Sequence, residues 1–183
     1  QASTTGSAFS LSDDGVWLTA RHVAEGCDTT WIQIAPKKAL KVRRTIIHPR
    51  ADVAVLTTRG GPSGLTLSDA QPRRGDAAFK IGFPKGAPGA VHGRYLGEIA
   101  MRHRGRNGYR EKVNVWSEVS RIPGQFGSLG GLSGGAVFDD TGRIIGVVAA
   151  ESRRRGRIMT AKPRTMREII KRARVNVKPG ETA

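Results

Sequence analysis

A serine framed by glycines, Gly131-Leu132-Ser133-Gly134-Gly135, is the stretch of this chain best suited to chemistry. A serine hydroxyl is a weak nucleophile until a base takes its proton and nearby donors stabilise the oxyanion it creates. Glycines let the backbone bend so that amide N–H groups converge on one point, and they leave room for a substrate. A base and an acid stand upstream. His22 closes the apolar segment Val16-Trp17-Leu18-Thr19-Ala20-Arg21-His22-Val23, and Asp52 opens the β-branched segment Asp52-Val53-Ala54-Val55-Leu56. Ser133 is thus the candidate nucleophile. His22 is the candidate general base and then general acid, and Asp52 the group that fixes the imidazole tautomer and stabilises imidazolium. His48, His92 and His103 lack the flanking pattern of His22. His48 precedes Pro49 in a turn, so it reads as structural or superficial.

The elements that must position these groups read as short strands between turns. Val16–Ala20, Thr30–Ile34, Leu40–Arg43, Thr45–Ile47 and Val53–Leu56 fill the first part, with a breaker-rich loop at Arg59–Gly64 and a connector at Asp69–Arg74. Ala77–Ile81, Val91–Met101, Val113–Val119, Arg143–Ala150 and Ile158–Ala161 follow, and Arg102–Lys112 reads as a polar hairpin or loop. Near the end the period changes. Met166, Ile169, Ile170 and Ala173 share one helix face, and Thr165 with Glu168 fits a capping box. With 24 glycines among 183 residues, the pattern predicts an all-β protein of many short strands with a C-terminal α-helix.

The chain resembles the trypsin/chymotrypsin-fold serine proteases, and among them the bacterial HtrA-like branch. The resemblance rests on Thr19-Ala20-Arg21-His22-Val23, Asp52-Val53-Ala54-Val55-Leu56, Gly75-Asp76 followed by Ile81-Gly82-Phe83-Pro84, and Gly131-Leu132-Ser133-Gly134-Gly135-Ala136-Val137, in family order. It implies two six-stranded Greek-key β-barrels: residues 1–68 for the first, 75–161 for the second, and a closing helix at 165–174. It implies a serine endopeptidase acting through an acyl-enzyme, with His22, Asp52 and Ser133 as triad and the N–H groups of Gly131 and Ser133 as oxyanion hole. It needs no cofactor and no metal, and no cluster has zinc-ligand spacing.

Departures from the trypsin pattern carry expectations of their own. Leu132 stands where trypsin places the aspartate that pairs with a newly cut N-terminus, which argues against that zymogen switch. The segment Gly124–Gly130 is the candidate for a rearranging loop instead. Ala149 stands where many relatives place a serine that hydrogen-bonds the triad acid, leaving Asp52 one partner short. Gly127 stands where trypsin carries its Arg/Lys-selecting aspartate. Gly127, Ser128, Ala149, Ala150, Glu151 and Arg157 are the expected substrate pocket. Small or apolar residues on the acyl side of the cut are favoured, and acidic ones through Arg157 are the alternative.

Charge and composition bound the partners. The formal net charge is +16, concentrated at Arg102, Arg104, Arg106, Arg110 and Lys112 and again across residues 153–174. Such clusters attract anions, so a polyanion (nucleic acid or anionic lipid) at 153–174 is the partner expected besides a polypeptide substrate. A non-catalytic or polyanion-regulated binding module is the competing function. Few aromatics accompany the arginines, so base stacking is not supported. Cys27, the single cysteine, forms no internal disulfide. No run of apolar residues is long enough to span a membrane as a helix. A start at Gln1 suggests a trimmed N-terminus and a periplasmic, secreted or membrane-associated setting, with the cytoplasm left open. An oligomer is admitted by the resemblance, but no segment specifies one.

Overall fold

The structure is a computed structural model and describes residues 3–105, 107–124 and 128–177. Gly127, expected in the substrate pocket, and Arg106, expected in the first basic cluster, lie outside the described residues, as does much of the expected rearranging loop.

Strands β1 (Ala8–Ser12), β2 (Val16–Thr19), β5 (Arg44–Ile47) and β6 (Ala54–Thr57) form an antiparallel sheet in the order β1-β2-β6-β5. Strands β3 (Trp31–Ala35) and β4 (Lys38–Lys41) pair only with each other. The second set is β7 (Ala77–Gly82), β8 (Gly89–His103), β9 (Tyr109–Ile122), β10 (Ala136–Phe138), β11 (Ile144–Ser152) and β12 (Arg157–Thr160). It closes into a barrel in the order β10-β11-β12-β9-β8-β7. The expectation of two closed barrels is therefore corrected to one among the described residues. The β3–β4 hairpin buries only Ile32 fully, so it lies against the first sheet without joining its hydrogen-bond ladder.

One core runs through both sets. Phe9, Leu18, Val53 and Val55 from the first sheet cluster with Ile144 and Val147 of β11, and with Met166, Ile169 and Ala173 of helix α2 (Pro163–Ala173). The helix starts two residues before its expected start at 165. Pro163 occupies the first helical turn, where its missing N–H costs nothing, and the cap Lys162 makes no side-chain bond. Thr165 is thus inside the helix and the expected capping box does not form. Glu168 instead contacts His48 Nε2 at 3.0 Å, so His48 is structural, as expected.

Arg102–Lys112, expected as a polar hairpin or loop, is a hairpin: the β8–β9 ladder continues to His103↔Tyr109. Stacking of those two rings (4.3 Å, 20°) holds the last rung. Inside the barrel, Lys80 is wholly buried, its Nζ lies 4.2 Å over the Trp116 ring, and it has no hydrogen-bond partner among the described residues. Burial depresses its pKa from 10.5 to about 7, against the pull of Glu118. A base with a depressed folded pKa loses stability as pH falls through that value. Lys80→Met is therefore expected to stabilise the fold by about 5 kcal/mol below pH ~7 and by little above pH ~10, read as a Tm gap in thermal melts across pH.

Candidate active site

His22 lies in the single helical turn α1 (Arg21–Ala24), which follows β2 directly. Its neighbour Arg21 anchors that turn. The Arg21 guanidinium is buried, donates to the carbonyls of His48 (3.0 Å) and Pro49 (3.3 Å), and pairs with Glu25. Helix α1 is thereby tied to the loop that carries Asp52. His22 Nδ1 lies 2.6 Å from Asp52 Oδ2, and the His22 backbone N–H donates to Asp52 Oδ1 at 2.9 Å. One carboxylate thus holds both the ring and the main chain of the histidine. Facing a carboxylate, Nδ1 carries the proton, which leaves Nε2 as the ring's acceptor. The bond to Asp52 holds the imidazole above its ordinary pKa, against the effect of burial. Asp52 is 3 % exposed, whereas the His22 side chain is 52 % exposed and open to a substrate.

Asp52 is supported from the barrel, not from Ala149. Its backbone N–H donates to Glu111 Oε2 at 3.0 Å, and His103 Nε2 lies 2.9 Å from the same oxygen. The extended hairpin thus reaches across to the first sheet. Glu111 is 5 % exposed, and its Oε1 has no partner among the described residues. Burial, helped by the charge of Asp52, pushes Glu111 up to about 7. An acid with a raised folded pKa contributes stability that is full below its unfolded value and is lost as pH rises through the folded one. The window here runs from about 4.5 to about 7. Wild type is therefore expected to lose about 3 kcal/mol relative to Glu111→Gln between pH ~5 and pH ~8, measured as the change in the Tm gap. A pH-independent gap contradicts the burial of an ionisable carboxyl here.

Ser133 sits on the loop before β10, and Ser7 straps that loop down. Ser7 N–H donates to Ser133 O (2.8 Å), Ser7 Oγ donates to Gly131 O (2.6 Å), and Phe83 N–H donates to Ser7 Oγ (2.8 Å). Gly134 has φ +87°, and a Cβ there would lie 2.0 Å from Ser7 O and 2.4 Å from Thr19 Oγ1. Only glycine lets the serine loop press this closely on the end of β2. A Cβ on Gly6 would lie 2.6 Å from the Val23 methyls and 3.1 Å from Ser133 O, so the serine loop and α1 share one edge. No hydrogen bond joins the Ser133 hydroxyl to His22 among the described residues. Neither Gly131 N–H nor Ser133 N–H donates to a backbone carbonyl there. Leu132, in the position of trypsin's aspartate, is 1 % exposed and buried in the barrel core with Leu129, Val137 and Val148. An apolar plug thus anchors the loop where an ion pair does so in trypsin.

A small recess opens beside Ser133, walled by Leu129, Leu132, Val148, Ala150 and Ile158, with Glu151 beside them. Of the expected pocket residues, Ala150 and Glu151 line it, while Ser128, Ala149 and Arg157 do not. Ala149 falls at a bulge between Val148 and Ala150. Arg157 donates to the carbonyls of Arg155 and Gly156, and Ser128 Oγ accepts from Gly130 N–H. The basic run 153–174 is partly neutralised: Arg153 pairs with Glu151, Lys162 with Glu98, Arg164 with Glu168 and Arg167 with Asp69. Ser7, Arg21, Glu111 and His103 escaped the sequence reading. The available signal was that Glu111 is the only acid in the arginine-rich stretch 102–112.

Residues 6–147 match the family described as "Trypsin-like peptidase domain". A probable periplasmic serine endoprotease DegP-like of Pseudomonas savastanoi pv. phaseolicola is 26 % identical over 149 residues, covering 80 % of this chain and 29 % of that protein. Its counterpart in Brucella suis is 28 % identical over 151 residues, covering 79 % and 27 %. The chain thus spans under a third of the length of these curated relatives. Among solved structures, the active form of the Rv3671c protease from M. tuberculosis superposes with TM-score 0.78 at 19 % identity, covering 97 % of this chain and 77 % of that one. The HtrA-type protease AlgW with a decapeptide superposes with TM-score 0.70 at 23 % identity, covering 91 % and 51 %. Among the described residues, no helix is long and apolar enough to cross a membrane.

Proposed function

Because the chain belongs to the trypsin-like peptidase domain family, we propose that it is a serine endopeptidase using Ser133, His22 and Asp52. The observation that carries this reading is the double grip of Asp52 on the ring and main chain of His22. That grip leaves Nε2 as the basic nitrogen of a half-exposed ring. Ser133 Oγ attacks the scissile carbonyl carbon and gives its proton to His22 Nε2. The carbonyl π pair moves onto oxygen, and the N–H groups of Gly131 and Ser133 are the donors for it. Collapse expels the amine, which takes the proton from His22, and leaves an acyl ester on Ser133. Water, deprotonated by the same nitrogen, repeats the sequence and frees the acid.

The recess next to Ser133 supports an acyl-side residue that is small or apolar, since its walls are aliphatic. Glu151 there disfavours an acidic side chain. The periplasmic setting of the relatives and the decapeptide bound to the HtrA-type neighbour support an extracytoplasmic enzyme acting on polypeptides.

A cleavage-site profile on a proteome-derived peptide library, wild type against Ser133→Ala, tests both points. Cleavages that follow Ala, Val or Leu and vanish in the variant are expected. Acidic residues at that position would overturn the pocket assignment. Cleavages persisting in the variant would overturn the nucleophile.

A further inference from the structure

The hairpin tip builds a feature that peptide-bond hydrolysis does not require. Arg102 and Arg110 stand directly opposite each other across the β8–β9 ladder, and Arg104 follows one step beyond. Like charges in facing positions destabilise a hairpin, and flanking rungs with other side chains show that the register does not demand them. Together with Arg50, from the loop that leads to Asp52, these side chains line a concavity of about 930 Å³. None of Arg50, Arg102, Arg104 and Arg110 has an ion pair or a side-chain hydrogen bond among the described residues, in contrast to Arg153, Lys162, Arg164 and Arg167. The buried carboxyl of the same hairpin, Glu111, turns its Oε2 to Asp52 N–H and His103.

We propose that this arginine-lined groove binds an acidic segment of a polypeptide substrate, outside the stretch that is cut. The inference rests on the peptidase reading for its occupant but not for the site itself. Converging guanidinium groups offer several donors each and suit a run of carboxylates. The groove lies on the Asp52 side of the centre, away from the aliphatic recess, because His103 joins its wall to Glu111 and thence to Asp52. A nucleic acid is disfavoured by the aromatics: among the described residues the rings lining the groove are His103 and Tyr109, which stack on each other, with Arg21 5.0 Å from the Tyr109 ring, so stacking surface for a base is reduced.

Two peptides with one common cleavage sequence test the proposal, one carrying a tail of about five glutamates and the other a tail of glutamines. At about 50 mM salt the acidic peptide is expected to show kcat/KM about tenfold higher, through KM, and at about 500 mM salt the two should converge. In Arg102→Glu/Arg104→Glu the ratio should fall to about one. Independently of turnover, Ser133→Ala should bind a fluorescent acidic-tailed peptide in an anisotropy titration at least tenfold more tightly than the glutamine-tailed one. Absent preference in that titration overturns the groove even if the peptidase is active; preference in a protein that cuts nothing keeps the groove and removes the peptidase reading. A single-stranded oligonucleotide of equal charge that binds more tightly than the acidic peptide overturns the choice of polypeptide.

Discussion

Ser133→Ala is expected to lower kcat for peptide hydrolysis by about 10⁶-fold while leaving Tm unchanged within a degree or so. On the peptidase reading, the size follows from removing the atom that would form the acyl bond. The unchanged Tm follows from how the loop is held. Leu132 is sunk in the barrel core, Ser7 binds the backbone on either side of it, and Gly134 N–H donates to Val148 O. None of these contacts uses the Ser133 hydroxyl. A residual rate about 10³-fold above water is expected from the remaining donors and substrate binding. Labelling by a fluorophosphonate, seen by intact mass, should disappear with the hydroxyl. An alanine variant that retains a tenth of the activity would remove Ser133 from the mechanism.

Asp52→Asn is the second large effect, a fall of about 10⁴-fold in kcat/KM. An asparagine can still accept the His22 N–H through its oxygen, because that bond needs no charge. Its amide group then faces Nδ1 and donates to it, which moves the ring proton to Nε2 and leaves no base for Ser133. The pH profile separates this from a folding defect. In wild type, the bond to Asp52 raises the His22 pKa above 6.5, and the imidazole must be neutral to accept a proton. Activity should therefore rise with pH through a midpoint above that value. Loss of the carboxylate shifts the midpoint downward even as the plateau collapses. A variant whose plateau falls but whose midpoint stays is explained by misfolding and not by the tautomer.

How much of this was legible in the sequence varies with what each feature depends on. Ser133, His22 and Asp52 each lie in a short local pattern, a glycine turn or a strand end, so each could be singled out from its neighbours, and the structure brings His22 and Asp52 into contact. The closing helix was legible for the same reason, since Met166, Ile169 and Ala173 repeat at helical spacing. Among the described residues the first barrel does not close, because closure depends on whether β3 and β4 find partners across space. Glu111 was illegible because it lies 59 residues from Asp52, in an arginine-rich segment whose pattern left hairpin and loop both open. Ser7 had no signal either, as its value comes from loops 76 and 124 residues away. The assignment of Ala149 and Arg157 to the pocket missed for a local reason: a bulge and a three-residue turn alter the phase of β11 and its return.

The division of labour along the chain has a consequence for biogenesis. His22 and Asp52 come from the first sheet, whereas Ser133, its Val148 anchor and the carboxylate behind Asp52 come from the barrel. A chain emerging from its N-terminus thus carries the histidine and aspartate long before any nucleophile exists, and the nucleophile's loop is braced only after β11 has been made. On the peptidase reading, every partly synthesised or half-folded copy is chemically mute.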